Sequence, residues 1–268
     1  MPRSTVSLHV RSLEKALGTR LFKRSTRSSS LTDDGQSLYD GAASGLDAIE
    51  AAVGLVRGGG ALSGTIRIAA PADFPTGPLA EALTSFRSTH PRIRLDVTLS
   101  SASVDLIADN IDLAIRVSDR GSLDRIERPL MTVAWGFFAS PARLERHGEP
   151  SSLLDLADFI APAPSLASYL ERCVLVNAAL PSPAMETDNL LLARDLAANG
   201  AGVSLLPAGL CNEALRAGRL VRVLQGEALH PSPVAMTFPS RADLLPRVRM
   251  LADHLAQAFS DAAPQPDL

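Results

Sequence analysis

The sequence predicts three successive parts: a basic helix with a two-stranded wing, a long linker helix, and a two-lobed α/β body. Residues 1–32 hold seven Lys/Arg and one acid, whereas the remainder of the chain is acidic enough to bring the formal net charge to −3. Residues 32–60 repeat apolar side chains at steps of three and four, the seam of a long helix. Beyond residue 64 predicted strands and helices alternate, which is typical of an open, mostly parallel sheet.

The first predicted element is an amphipathic helix from Ser4, a suitable N-cap, to Gly18, a suitable stop. Its apolar face is a stripe at helical spacing: Val6, Val10, Leu13 and Leu17. The opposite face carries short polar groups and cations of a size that enters a DNA major groove. We expect Ser7, His9 and Arg11 to approach base edges.

The wing is predicted from the apolar pair at 21–22, the basic tip at 23–27 and Leu31. Cationic blocks on acidic chains are typical of proteins that contact phosphates. We expect Arg24, Thr26, Arg27 and Thr32 to anchor phosphates of double-stranded DNA. The complete predicted set of DNA-contacting residues is Ser4, Thr5, Ser7, His9, Arg11, Arg24, Thr26, Arg27 and Thr32.

The motif STVSxHVRSLExxLGxRLFxRxxRxxxLTxxG resembles the recognition helix and wing of the LysR-type transcriptional regulators. The resemblance implies a winged helix-turn-helix, a homodimer or homotetramer, and a body that senses a small molecule. In that family two further helices precede this one, whereas residues 1–3 alone do so here. We therefore expect a partial winged helix-turn-helix, left by a misplaced start codon or by a shortened gene product. Leu8 also departs from the family, which often has a polar or basic residue there.

The linker is expected to begin at Thr32, with Asp33 and Asp34 in the first helical turn, where acids suit the helix dipole. About 25 residues would form a rod of roughly 37 Å, ending at the Gly-rich joint 58–60. The resemblance implies that this helix makes the dimer. The alternative is a helix packed within its own chain. The apolar seam consists of Leu38, Ala42, Leu46, Ile49, Val53 and Val56.

The body is predicted to contain strands at 65–70, 93–99, 111–115, within 130–139, 173–177, 202–206, 220–224 and 233–238. Helices are predicted at 78–89, 104–110, 141–146, 151–157, 189–199, 208–217 and 244–259. The predicted domains are a head at 1–31, a linker at 32–60, a first lobe at 64–135 with 239–268, and a second lobe at 136–238. The motifs GTIRIAAP, VDLIADNIDLAIRVS, FFASPARLERHGEP and GAGVSLLPAG resemble the effector-binding part of the same family, which implies a type 2 periplasmic-binding-protein fold. Residues 157–185 are the least family-like.

Ligands of open α/β sheets bind where strands end and helices begin, and this places the candidates on the loops of the body. The predicted effector-binding residues are Pro71, Thr76, Ser100, Ser101, Ser103, Arg116, Thr187, Gly202 and Val203. Arg116 would hold a carboxylate, which suits the small organic acids or aromatics that the resemblance implies. Asp73 would repel an anion. The alternative for the Ser and Thr residues is helix capping at these same loops.

Other classes of protein are disfavoured by the sequence. No stretch reaches the 18 or so apolar residues of a membrane span, and no apolar region typical of a secretory signal follows the N-terminal charges, so a cytoplasmic protein is expected. The distant Cys173 and Cys211 fit no metal or redox spacing, and the five histidines are scattered. GAGVSL at 200–205 lacks the third glycine of a dinucleotide fingerprint. We expect no catalytic site, metal or cofactor.

Two alternatives to the regulator follow from the short head and the two-lobed body. A head that cannot bind DNA would leave a small-molecule-binding module, or an interfering dimer partner of longer relatives. An extracytoplasmic solute-binding protein is disfavoured by the missing signal and by the basic head.

Overall fold

The computed structural model describes residues 3–24, 29–39, 41–42, 45, 49, 62–102, 104–118, 126–239 and 245–261. The chain forms two compact units, residues 1–65 and 66–268. None of the helices within the described ranges is long and apolar enough to cross a membrane.

The first unit contains the predicted helix and wing. Helix α1 spans Arg3–Leu17, and strands β1 (Phe22–Arg24) and β2 (Ser29–Leu31) pair antiparallel with Phe22 opposite Leu31. The carboxylate of Glu14 accepts hydrogen bonds from the backbone N–H groups of Leu21 (2.9 Å) and Phe22 (3.3 Å). This contact joins the helix to the wing and lies at a position that the sequence motif contains.

Helix α2 begins at residue 33 and is capped as predicted. The Thr32 hydroxyl accepts a hydrogen bond from the N–H of Gly35 (2.9 Å), the usual N-cap interaction. A Cβ on Gly35 would lie 2.0 Å from the carbonyl oxygen of Leu21, so only glycine allows this close approach of α2 to the start of the wing. Residues 33–39, 41–42, 45 and 49 are helical, and the other positions of the predicted linker lie outside the described residues.

The first sheet of the second unit has the strand order β4-β3-β5-β12-β6. Its elements are β3 (Gly64–Ala70), α3 (Thr76–Thr89), β4 (Ile93–Leu99), β5 (Leu113–Val117), β6 (Ile126–Val133), β12 (Ser232–Phe238) and α8 (Pro246–Asp261). Strands β3 and β5 are parallel, and β12 runs antiparallel between β5 and β6. Most apolar residues of β3 and β5 are buried, including Ile66, Ile68 and Leu113, which explains their hydrophobic runs.

The second sheet has the order β11-β7-β10-β8-β9. Its elements are β7 (Trp135–Ala139), α4 (Pro141–His147), a short 3-10 helix (Leu153–Asp155), β8 (Phe159–Pro162), α5 (Pro164–Cys173), β9 (Pro183–Thr187), α6 (Leu190–Ala198), β10 (Val203–Pro207), α7 (Ala208–Arg216) and β11 (Val221–Val223). Strands β8, β9 and β10 are parallel, and β7 is antiparallel to β10 and β11. Every residue of β7 is buried, in a core that includes Phe137, Phe138 and Phe159.

The chain crosses between the two sheets at Ala134 and again before Ser232. Strand β12 lies in the first sheet, so the predicted second-lobe boundary at residue 238 is wrong for this strand. The reason is that β12 pairs with β5 and β6, which lie about 100 residues earlier, and local sequence does not show which sheet a strand joins. At the first crossing the indole Nε1 of Trp135 donates to the Ser232 hydroxyl (2.7 Å), which links the two crossings.

Three local predictions are wrong, and a fourth is shifted by two residues. Residues 104–110 form turns because the Asp105 carboxylate accepts the N–H groups of Ile107 and Ala108, a local bond that competes with helix formation. The strand predicted at 111–115 lies at Leu113–Val117, and the helix predicted at 151–157 contains three residues of 3-10 helix. The strand predicted at 173–177 reduces to a single bridge from Leu175 to Leu229.

The sequence prediction missed β8, α5 and β9, all within the region that least resembles the family. Strands β8 and β9 are short, and the prolines at 162, 164, 181 and 183 are typical of loops, which also hides the start of α5. The remaining described helices and strands of the body agree with the predicted ones to within a few residues at each end.

Candidate functional site

The exposed face of α1 carries cations without acidic partners among the described residues. His9, Arg11 and Lys15 are exposed, and Arg11 and Lys15 lie one turn apart, so they share a face. Glu14, the acid of this helix, is turned to the backbone of the wing. This face therefore presents positive charge to solvent.

The structure describes the other predicted DNA-contacting residues only in part. Ser4, Thr5 and Ser7 lie in the first turns of α1, and Arg24 ends β1, but their side chains are not described. Thr26 and Arg27 lie outside the described residues.

Thr32 already makes two hydrogen bonds within the head. Its hydroxyl donates to the carbonyl oxygen of Arg20 (2.6 Å) and accepts from the N–H of Gly35. The single hydroxyl proton is therefore used internally, and a phosphate contact by this residue stays a prediction that would require this bond to be exchanged.

Five predicted effector-binding residues of the first lobe meet at one edge of the sheet. The N–H of Ser100, after β4, donates to the carbonyl oxygen of Ala70, the last residue of β3 (3.0 Å). The N–H of Ser118, after β5, donates to the carbonyl oxygen of Pro233 beside the second crossing (2.9 Å). The carboxyl ends of β3, β4 and β5 therefore lie together at the crossings. The residues concerned are Pro71, Thr76, Ser100, Ser101 and Arg116, while Ser103 lies outside the described residues.

At the second sheet the same edge holds Thr187. The N–H of Ala208, after β10, donates to the carbonyl oxygen of Ala134 at the first crossing (2.8 Å), so the carboxyl end of β10 lies at the crossings. Strands β8 and β9 run parallel to β10, and Thr187 is the last residue of β9. We use the name crossing edge for the loops at this end of the two sheets, which are 71–76, 100–102, 116–118, 162–164, 187–189 and 207–208.

Polar groups at the crossing edge bond mainly to their own loops. The Ser100 hydroxyl accepts the N–H of Ala102 (3.0 Å), and the Thr187 hydroxyl oxygen accepts the N–H of Asn189 (3.1 Å). The Arg116 guanidinium reaches the carbonyl oxygen of Val104 at a long 3.4 Å. These contacts fix the loops and leave the Ser100 and Thr187 hydroxyl protons without a hydrogen-bond acceptor among the described residues.

Gly202 and Val203 do not belong to this edge, so the expectation that they lie with the other predicted residues is wrong. Val203 pairs with Phe159, the first residue of β8, which places both residues at the amino ends of β8 and β10. The physical reason is the direction of β10, which runs toward the crossings. We name the amino ends of β8 and β10 the far edge of the second sheet.

The far edge is closed by tight contacts that the sequence analysis missed. A Cβ on Gly202 would lie 1.8 Å from the carbonyl oxygen of Asp158, and the same oxygen accepts the N–H of Val203 (3.1 Å). The buried Arg143 guanidinium makes two hydrogen bonds to the Asp158 carboxylate (2.9 and 2.8 Å) and one to the carbonyl oxygen of Gly148 (2.7 Å). The hydrogen bonds from Arg143 lower the pKa of Asp158 below its usual range.

Asp73 lies in the loop between β3 and α3 at the crossing edge. This loop turns through a hydrogen bond from the N–H of Phe74 to the carbonyl oxygen of Pro71 (3.0 Å). Asp73 is half-buried, and its burial raises the pKa of its carboxyl group. The N-cap of α3 is Pro75, and no side chain caps this helix, so Asp73 has no capping role.

A cavity of about 350 Å³ opens on the second lobe between β8, α5 and β9, in the least family-like region. Its walls combine apolar side chains with two carboxylates, and Glu171 accepts the N–H of Leu180 (3.1 Å). It adjoins the crossing edge only through Pro162 and Pro164. Predicted effector-binding residues are not among its lining.

Side chains suited to metal or thiol chemistry are dispersed in the part of the chain that the structure describes. No group of three His, Cys, Asp or Glu residues there has the proximity to hold a metal ion. Cys173 and Cys211 are both free thiols. Burial raises the pKa of Cys211 to about 12, so this thiol packs as a small apolar group.

Comparison with known families matches both units of the chain. Residues 1–36 match the family model described as the bacterial regulatory helix-turn-helix protein of the lysR family. Residues 59–260 match the LysR substrate binding domain.

Individual proteins that are similar to this chain are regulators of the kind that the family models describe. The HTH-type transcriptional regulator YhjC of Escherichia coli K12 is 32% identical over 97% of this chain and 90% of its own length. An HTH-type transcriptional repressor of Pseudomonas aeruginosa is 30% identical over 97% of this chain and 85% of its own. The solved structure of CrgA, a LysR-type regulator from Neisseria meningitidis, superposes with a TM-score of 0.64 at 26% identity, covering 97% of this chain and 90% of that one.

Proposed function

The chain belongs to the LysR-type transcriptional regulators, and from this premise we propose that α1 and the wing hold duplex DNA while the body binds a small organic effector. A homodimer or homotetramer acting in the cytoplasm is the form that we propose. Paired α1 helices of two subunits would then read two half-sites.

The observation that carries the DNA-binding proposal is the exposed cationic face of α1. Arg11 and Lys15 stand on that face without acidic partners among the described residues, and the body beyond the head is acidic. Phosphate neutralisation supplies much of the affinity of such a surface and makes it dependent on salt. Base contacts by Ser7, His9 and Arg11 would add sequence preference.

The test is fluorescence anisotropy with the full chain and a pool of random labelled duplexes, at several salt concentrations. Arg11→Ala and Lys15→Ala should each weaken binding, and a cation that contacts a phosphate should reduce the slope of log K against log salt by about one. Arg94→Ala, which removes an exposed cation from β4 in the body, is the matched control and should leave the slope unchanged. Failure of the wild-type chain to bind any duplex in dilute salt would contradict the proposal.

Exposed leucines on α1 favour a second candidate. Leu13 and Leu17 retain 43% and 49% exposure, so the apolar stripe of α1 is only partly covered. A helix held by few apolar contacts is marginal in water. A chain with such a head would act as a small-molecule-binding module or as an interfering dimer partner. A stable oligomer that ignores DNA in the anisotropy experiment would support this candidate.

The proposed effector site is the crossing edge. It is supported by the hydrogen bonds that bring the loops after β3, β4, β5 and β9 to the same end of their sheets. Ligands of open α/β sheets bind at this end. We propose that Ser100 and Thr187 donate hydrogen bonds to the effector, with Ser101, Thr76 and Pro71 in the surrounding loops and Arg116 holding a carboxylate or packing on an aromatic ring. Thermal shift measurements against small carboxylates and aromatics test the site.

A further inference from the structure

The crossing edge carries more acidic than basic side chains. Among the described residues of its loops the charged groups are Asp73 and Asp188 on the acidic side and Arg116 on the basic side. A third acid, Glu127, accepts a hydrogen bond from Ser118 in one of these loops (2.5 Å), and a second cation, Arg222, donates to the carbonyl oxygen of Trp135 at the first crossing (3.2 Å). Residues 119–125, which follow Ser118 in the sequence, contain as many Asp as Arg, so their composition leaves this excess unchanged.

Asp73 has no partner of opposite charge among the described residues. Its carboxylate does not cap α3, and the hydrogen bond that stabilises its charged form comes from its own backbone. Burial disfavours its charged form, because water is partly removed and no cation replaces it. A cation bound at this position would favour the charged form of the carboxyl group and offset the penalty.

We propose that the effector carries a protonated amine and that the Asp73 carboxylate binds this amine at the crossing edge. The inference rests on the proposed effector site and names its ligand class. Ser100 and Thr187 would donate hydrogen bonds to the uncharged part of the ligand, and Arg116 would hold a carboxylate where the ligand has one. An effector with a carboxylate alone would add a further negative charge beside Asp73 and Asp188, which is unfavourable at short range.

Isothermal titration calorimetry with two matched ligand sets tests the charge preference. One set is pentylamine, 5-aminopentanoate and pentanoate, and the other is phenethylamine, phenylalanine and 3-phenylpropionate. Within each set the skeleton is similar and the charged groups differ. The amine-bearing members of at least one set should bind the wild-type chain more tightly than the corresponding carboxylate.

Asp73→Asn should weaken binding of the amines by about tenfold or more, as expected for a partly buried ion pair, while binding of the carboxylate is unchanged or improved. Asp96→Asn is the matched control, because it removes an exposed acid from β4 outside the crossing edge and should change neither. Circular dichroism and thermal melting of each variant establish that it is folded.

The possible failures are distinguishable. If carboxylates bind and Asp73→Asn leaves all affinities unchanged, the amine inference is overturned while the proposed effector site stands. If no member of either set binds, the inference is likewise overturned, and the anisotropy experiment with DNA decides the regulator function separately.

Discussion

The far edge and the crossing edge of the second sheet are built from the same three parallel strands but differ in how their polar groups are used. At the far edge the Asp158 carbonyl, the Asp158 carboxylate and the Arg143 guanidinium all have partners within the fold. At the crossing edge the Thr187 hydroxyl only accepts a hydrogen bond, and Asp188 is exposed. A sheet end whose polar groups are satisfied stabilises the fold, whereas one with unused donors and charges can bind a ligand.

The largest expected effect is that of Gly202→Ala at the far edge. Its Cβ would lie 1.8 Å from a backbone oxygen, which no rotamer change relieves, so the strand β10 or the preceding turn has to move. We expect a loss of more than about 3 kcal/mol in the free energy of unfolding, in the range of severe overpacking. Urea denaturation followed by circular dichroism measures it.

Gly209→Ala is the control, because a Cβ on this exposed glycine of α7 meets no atom within 4 Å. Alanine is the better helix former, so this variant should be neutral or more stable by up to about 1 kcal/mol. Equal destabilisation by the two substitutions would show that the close approach at Gly202 is not what closes the far edge.

Arg143→Ala should have the next largest effect. Its guanidinium is buried against Asp158 and Gly148, and its removal leaves a carboxylate and a carbonyl without their donors. Breaking such a pair costs about 3 kcal/mol. Arg219→Ala, which breaks an exposed 3.7 Å pair with Glu213, is the control and should cost less than about 1 kcal/mol.

The pair of Arg143 and Asp158 also predicts that the free energy of unfolding depends on pH in the acid range. The pKa of Asp158 is lowered in the folded chain, so its stabilising contribution is present above the unfolded pKa, near 3.8, and is lost as pH falls through the folded value. Asp158→Asn should therefore lose less stability between neutral pH and pH 3 than the wild-type chain does. An identical pH profile for the two proteins would contradict this assignment.

These contacts also show what sequence reasoning can and cannot predict. The head was predictable because the stripe through Val10 and Leu13, the Thr32 cap and the wing are all local patterns. The loops at 71–76 and 100–102 were predictable because strand ends follow from local sequence. The placement of Gly202 was not, since it depends on which way β10 runs relative to the crossings. The partnership of Arg143 with Asp158 likewise joins residues 15 apart whose spacing follows no periodic rule.

Ser232→Ala is expected to have an intermediate effect at the crossings themselves. It removes the acceptor of the Trp135 indole N–H, and a buried donor without a partner costs about 1–3 kcal/mol. Trp135 is the single tryptophan of the chain, so its fluorescence reports this contact directly. We expect a changed emission maximum in the variant, and the same probe should respond when a ligand occupies the crossing edge. An unchanged spectrum would indicate that the hydrogen bond contributes little.

The smallest expected effect is that of two substitutions at opposite ends of α6, which runs from the crossing edge to the far edge. The Asn189 side chain caps the first turn by accepting the N–H of Leu192 (3.0 Å), and Asn199 donates to the carbonyl oxygen of Asp195 (2.8 Å) at the last. Asn189→Ala should cost about 1 kcal/mol, the usual value of an N-cap, and Asn199→Ala a few tenths. The backbone N–H of Asn189 donates to the Thr187 hydroxyl oxygen, and alanine keeps this N–H. The lost side-chain cap should nevertheless loosen the loop that positions Thr187, so Asn189→Ala should in addition weaken ligand binding, which Asn199→Ala should not. Equal effects of the two variants on ligand affinity would mean that the capping loop does not position Thr187 for the effector.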